Sequence, residues 1–334
     1  MLIIQQLSKS LNHQPVIQSV SLRVPEGCFF TLLGNSGAGK TTLLKLIAGL
    51  EMPDQGQITY QGRELTNLTA EKRRIPMIFQ QPLLFPHLTV YQNIAFGLEM
   101  EGTSPALINE KVSALMKTLQ IGELSGRLPG TLSGGQQQRV SMARALAPGN
   151  SLILMDEPFS SLDPSLRKEM GQLVKDLQRR MNLTVVFVTH DVTEALQLSD
   201  HILLLQEGKA VETGTPKQLY EAPGELETAR FMEAGNLVQG RVEEGRFHCQ
   251  LGVFSAPGKP DGPVVGVFPE NRIAIKVAEG ESQVEEIRYL GKNRRVKVSC
   301  QGEILWVEEA RSLPLKTGQK VTLVFPDQAH LIKI

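Results

Sequence analysis

An α/β core that carries a helical insert and is followed by a small all-β domain is the fold class this 334-residue sequence predicts. Three observations carry that expectation. Apolar runs alternate with helical patterns over residues 1–235. Residues 88–150 interrupt the alternation with helix-like sequence. From 236 to 334 short β-like pieces are punctuated by Gly and Pro.

Each element has its own local reason. Phe29-Phe30-Thr31-Leu32-Leu33 reads as a strand, and residues 41–50 follow as a helix. Ile75-Pro76-Met77-Ile78-Phe79-Gln80 reads as a further strand. The insert holds a helix near 106–120 and another after Gly134. Residues 152–155 and 183–189 are continuous apolar or β-branched runs, which suit strands covered on both faces. Between them Leu166, Met170, Leu173, Val174, Leu177 and Met181 fall three and four apart, one stripe on a helix from about 165 to 181. Residues 214–235 are expected to hold helices joining the two parts. In the tail, β-like pieces near 264–268, 273–277, 284–290, 295–299, 304–308 and 321–325 predict a small barrel or sandwich.

Composition narrows the function classes. Lys plus Arg and Asp plus Glu are balanced at 35 each, so no positive excess speaks for a chain that mainly grips a phosphate backbone. No apolar run approaches the roughly 20 residues of a membrane-spanning helix. Residues 1–6 show no basic segment leading into an apolar one, so no secretory signal is expected. Cys28, Cys249 and Cys300 share no C-x-x-C spacing, which fits buried thiols in a reducing compartment.

The first chemical motif is Gly34-Asn35-Ser36-Gly37-Ala38-Gly39-Lys40-Thr41, between a strand and a helix. It fits G-x-x-x-x-G-K-[ST], whose backbone N–H groups cradle phosphates at a helix N-terminus. Lys40 is placed to neutralise the β- and γ-phosphates and Thr41 to ligate Mg²⁺. The apolar strand 152–155 ends in Asp156-Glu157, where ligands bind a parallel sheet. Asp156 suits the magnesium shell, and Glu157 suits a general base that orients the attacking water. His190 ends the next strand and reads as a γ-phosphate sensor. The Gln80 amide could reach Mg²⁺ or the water when the insert approaches.

Leu132-Ser133-Gly134-Gly135-Gln136 reads as a helix start with Ser133 near the cap and open backbone N–H groups, a second anion-binding element. Because residues 34–41 already wrap one set of phosphates, its simplest ligand is a nucleotide held by another copy. Two copies head to tail then close with two composite sites.

These motifs resemble those of the ATP-binding subunits of ABC transporters. The phosphate loop GNSGAGKTT spans 34–42 and adds Thr42, LSGGQ spans 132–136, and LILMDE spans 152–157. Ser160-Ser161-Leu162-Asp163 and His190 follow in the family's order. The resemblance covers 1–235 and implies a P-loop NTPase core of ABC type with ATP and Mg²⁺ as cofactors. Ser133, Gly134, Gly135 and Gln136 would act on the partner's ATP. Asp163 would help the two sites communicate. Gln80 and the insert would couple nucleotide state to transmembrane permease subunits, with residues 85–90 near that contact. Such a subunit sits peripherally on the cytoplasmic face of the inner or plasma membrane.

Leu11 stands where the family usually stacks an aromatic on adenine. Losing that stacking costs about 1 kcal/mol, and His13 is a candidate substitute. In the tail, residues 265–270 with Ile273, residues 287–291 and residues 318–323 resemble the oligonucleotide-barrel-like (TOBE-like) domain of importer ATPases. Phe268 replaces that domain's usual Arg. The resemblance implies solute import, a regulatory or dimer-stabilising role for 236–334, and indirect partnership with an extracytoplasmic solute-binding protein. The alternative is a soluble ABC ATPase acting on nucleic acid or ribosomes. Aromatics at 5% offer few stacking platforms for that role, and no direct nucleic-acid partner is expected. The basic residues Lys292, Arg294, Arg295 and Lys297 read as a solvated face.

Overall fold

β1 (Leu2–Leu11) and β2 (Gln14–Val24) form an antiparallel hairpin that turns on Asn12 and His13, both at positive φ. The computed structural model describes residues 1–278, 280–310 and 313–334. After the hairpin come β3 (Phe29–Leu33), α1 (Lys40–Ala48), β4 (Gln55–Tyr60), β5 (Arg63–Glu64), α2 (Ala70–Arg73) and β6 (Met77–Ile78). The insert supplies α3 (Val90–Met100), α4 (Pro105–Thr118) and α5 (Gly134–Leu146). The core resumes with β7 (Leu152–Asp156), α6 (Pro164–Met181), β8 (Thr184–Thr189), α7 (Val192–Leu198), β9 (His201–Gln206) and β10 (Lys209–Gly214).

A six-stranded sheet in the order β10-β9-β3-β8-β7-β6 is parallel apart from β10. Every residue of β3, β7 and β8 is buried, the state their unbroken apolar and β-branched runs require. Full burial of each large side chain contributes about 1.5–3 kcal/mol. The hairpin joins β4 and β5 in a four-stranded antiparallel sheet, order β2-β1-β4-β5. This sheet has no counterpart in the sequence reading. Register shifts within β1 break its alternation, so the period-2 signal is lost. The expected strand over 75–80 shrinks to Met77–Ile78. On α6, Met170, Val174 and Leu177 are buried as the stripe predicts, but Met181 at its end is exposed.

The contacts divide the chain into Met1–Pro216 and Lys217–Ile334. The sequence reading puts the division near 235. The expected joining helices are α8 (Pro216–Glu221) and α9 (Leu226–Phe231), and α9 belongs to the second unit. There Ala229 and Ala234 pack with Val267 and Ile332.

The second unit continues with β11 (Asn236–Glu243), β12 (Arg246–Cys249), β13 (Gly252–Ser255), β14 (Gly262–Phe268) and β15 (Ala274–Lys276). β16 (Ser282–Leu290), β17 (Asn293–Cys300), β18 (Glu303–Glu309), β19 (Lys320–Val324) and β20 (His330–Lys333) complete it. They form two five-stranded antiparallel sheets, β13-β12-β11-β14-β20 and β15-β19-β16-β17-β18, around a shared core. The six tail strands read from the sequence are present, while β11, β12, β13 and β20 are additional. Phe268 is fully buried among Phe247, Phe254 and Phe325, which explains an apolar side chain there.

The solvated-face reading of the tail's basic residues needs correction. Alternation along β17 turns Arg294 inward, where its Nε donates to Glu309 Oε2 at 2.6 Å. Arg295 forms a forked pair with Glu270.

Candidate nucleotide-hydrolysis site

The chain leaves β3 through Gly34 and enters α1 after Gly39. Gly39 has φ +98°, and a Cβ there would lie 2.7 Å from the Val16 carbonyl oxygen. Only glycine combines that dihedral with that approach. Asn35, Ser36 and Gly37 face solvent, while Ala38, Gly39 and Lys40 are buried. The first N–H groups of α1 have no partner within the helix. Thr41 is exposed and Thr42 half-buried at the same helix start.

The Lys40 ammonium donates to the carbonyls of Gly34 and Asn35, each at 2.8 Å. Burial lowers its pKa, opposed by the charges of Glu157 and Asp156. Thr41 Oγ1 donates to Asp156 Oδ1 at 2.9 Å. Burial raises the Asp156 pKa against the Thr41 hydrogen bond.

Parallel register brings the strand ends together. Leu33 is level with Thr189, and Asp156 with Val188. Glu157, just past β7, takes φ +43°, and its N–H donates to the Val188 carbonyl at 3.1 Å. Its Oε2 lies 3.1 Å from His190 Nδ1. A carboxylate only accepts, so Nδ1 carries the proton in this bond. Gln80 is exposed, two residues beyond Ile78, which is level with Met155. It therefore stands at the same sheet edge, although no hydrogen bond joins it to the carboxylates among the described residues.

Ser133 caps α5 as its sequence predicts. Its Oγ accepts from Gln136 N, and Gln136 Oε1 accepts from Ser133 N, a reciprocal capping box. Among the described residues, the two Gln136 amide hydrogens make no hydrogen bond. Gly134 is open, whereas a Cβ on Gly135 would meet Leu166 Cδ2 at 2.6 Å. Asp163 caps α6 through Ser165 N and Leu166 N. Leu11 ends β1 and is partly exposed, and His13 lies in the hairpin turn.

The residues fit a nucleotide with a divalent cation. A buried ammonium whose hydrogen-bond partners among the described residues are neutral carbonyls offers unspent positive charge to phosphate. Beside it, hydroxyl and carboxylate oxygens form a hard donor set. Sequence reasoning did not find Arg167, which packs behind Glu157 and His190. Its only local signal is a cation on the first turn of α6.

A strand, a glycine-rich loop, a lysine-bearing helix and carboxylates at the adjacent strand end define a P-loop NTPase. Residues 17–160 match the family described as ABC transporter. The chain is 36% identical to the Fe(3+) ions import ATP-binding protein FbpC of Photobacterium profundum, over 95% of this chain and 91% of that protein. It is 37% identical to the Fe(3+) ions import ATP-binding protein FbpC 2 of Haemophilus influenzae, over 96% and 94% of the two chains. The solved dimeric structure of the ATP-binding cassette MJ0796, bound to ADP and Pi, superposes with a TM-score of 0.58 at 30% identity. That match covers 65% of this chain and 99% of the other. The chain belongs to the ATP-binding subunits of the ABC transporter family: it is an ATP-binding, ATP-hydrolysing subunit coupled to transport. Among the described residues, no helix is long and apolar enough to cross a membrane.

Proposed function

We propose that this chain hydrolyses ATP as a head-to-tail pair of copies and so drives solute import through membrane permease subunits, from the cytoplasmic face. The observation that carries this reading is the Glu157–His190 bond at the sheet edge that also bears Lys40 and the Thr41–Asp156 pair. The names of the similar Fe(3+) importers favour import and make ferric iron the first solute to test.

In this proposal residues 34–42 hold the phosphates of ATP through backbone N–H groups, with Lys40 neutralising the terminal ones. Thr41 and Asp156, with Gln80 approaching, would hold Mg²⁺, which would supply charge neutralisation. Glu157 accepts a hydrogen bond from the attacking water and orients it. His190 donates from Nδ1 to Glu157, and its other ring nitrogen, when it also carries a proton, donates to the γ-phosphate. Ser133, Gly134, Gly135 and Gln136 of each copy complete the other copy's site. ATP closes the pair because it binds the closed state better, and hydrolysis reopens it. Residues 1–235 supply this cycle, and residues 236–334 regulate or brace the pair as a TOBE-like domain. An external solute-binding protein would deliver cargo to the permease.

The test is a mild-detergent pulldown of the tagged chain from its own membranes. Recovery of one or two very hydrophobic multi-span proteins is expected. Recovery of ribosomal or nucleic-acid components without a membrane chain overturns the reading.

A further inference from the structure

Arg167 lies on the first turn of α6, behind the Glu157–His190 pair. Its Nη2 donates to the Leu162 carbonyl at 3.2 Å and reaches the Ser160 carbonyl at 3.5 Å. Nη1 stands 3.6 Å from Asp191 Oδ2, and Nε stands 3.7 Å from Glu194 Oε1. One guanidinium thus spans two chain segments. The first follows Glu157 and the second follows His190.

Both segments are tied to the residues they follow. Ser160 Oγ donates to the Glu157 carbonyl at 2.9 Å. Glu194 Oε2 accepts from Thr189 Oγ1, and Asp191 N donates to the same Thr189 oxygen. Asp191 also caps α7 through Thr193 N and Glu194 N. A cavity of about 40 Å³ lies among Glu157, Ser160, Arg167, His190 and Glu194.

The contacts are unequal. The carbonyl side is bonded, whereas the carboxylate side is too long for hydrogen bonds. Arg167 Nε is buried and has no hydrogen-bond partner among the described residues. Leaving a buried donor without a partner is unfavourable. Drawing the first turn of α7 toward residues 160–162 would satisfy it, and His190 would move with that turn.

We infer that Arg167 is a positioning residue that sets the separation of Glu157 and His190. It acts through the Ser160 and Leu162 carbonyls on one side and through Asp191 and Glu194 on the other. The inference rests on the proposed hydrolytic roles of Glu157 and His190. A planar fork can serve both sides at once, whereas a lysine ammonium at the same place serves one.

The test uses the full chain with Arg167→Ala, Arg167→Lys, His190→Ala and each Arg167 variant combined with His190→Ala. Phosphate release gives kcat and KM, and a fluorescent ATP analogue gives Kd. Arg167→Ala is expected to lower kcat at least about tenfold, inside the ~10²-fold that a 1 Å misplacement can cost, with Kd changed less than about threefold. On the His190→Ala background it should cost less than about threefold more, because the group it positions is gone. Arg167→Lys should retain kcat between the parent and Arg167→Ala. An equal fold-loss in both backgrounds overturns the inference, as does a changed Kd with kcat intact. If Arg167→Ala fails to fold, Arg167→Lys carries the same two-background comparison. Normal turnover by Glu157→Gln would instead sink the hydrolytic assignment itself. An inactive Glu157→Gln beside a fully active Arg167→Ala overturns the positioning role alone.

Discussion

His190 Nδ1 lies 3.1 Å from Glu157 Oε2, and this bond closes the ends of two adjacent parallel strands. Glu157 reaches it from a left-handed backbone conformation just past β7. For a residue with a Cβ that conformation costs about 1–2 kcal/mol, and here the hydrogen bond to the Val188 carbonyl helps to hold it.

Glu157→Gln keeps the size and shape of the side chain but removes its charge. Turnover is expected to fall by about 10²–10⁴-fold, the usual contribution of a general base. ATP binding should persist, and paired chains should accumulate. Phosphate release and size-exclusion chromatography with ATP check both halves.

Gly39→Ala and Gly37→Ala separate sterics from backbone preference. Both glycines have positive φ, at +98° and +83°. A Cβ on Gly37 meets nothing within 4 Å, whereas one on Gly39 meets the Val16 carbonyl and Ile17. Gly37→Ala should cost only the ~1–2 kcal/mol of left-handed backbone. Gly39→Ala should cost more and abolish ATP binding. Thermal unfolding and nucleotide titration distinguish them.

Arg73 stiffens the helix that carries Lys40 and Thr41. Its buried guanidinium donates to the carbonyls of Leu46, Ile47, Thr66 and Leu68, two of them in the last turn of α1. Arg73→Met would remove the donor from the Ile47, Thr66 and Leu68 carbonyls, while Leu46 keeps the Gly49 N–H, at a cost of about 3 kcal/mol or more. A lower unfolding temperature in a calorimetric scan is the expected result.

Burial raises the Glu194 carboxyl above its ordinary value of 4.5, with Asp191 adding to the shift and Thr189, Arg167 and His190 opposing it. The folded chain therefore holds this proton more tightly than the unfolded chain. The stability this group contributes is complete below 4.5 and is lost as pH rises through its folded value. Glu194→Gln mimics the protonated form. Its Tm advantage over the parent should grow as pH rises above 4.5, and a constant difference would contradict the sign.

The phosphate loop, the Ser133 cap and the buried strands β3, β7 and β8 were readable from the sequence because each is a contiguous segment. Local backbone geometry and unbroken apolar runs carry their signal. The bulged strand β1 was not readable, because its register shifts erase the alternation that marks a half-buried strand.

By itself the sequence singled out the candidate side chains: Lys40, Thr41, Asp156, Glu157 and His190 sit at motif positions or strand ends. Only the tertiary structure decided how they bond. The sheet order β3-β8-β7 brings Thr41 to Asp156 and His190 to Glu157 across long stretches of chain. The same folding places Arg167 between two loops and turns Arg294 into the tail's interior. Charge and hydrogen bonding act through space, and no local pattern records which distant carbonyl or carboxylate a guanidinium will meet.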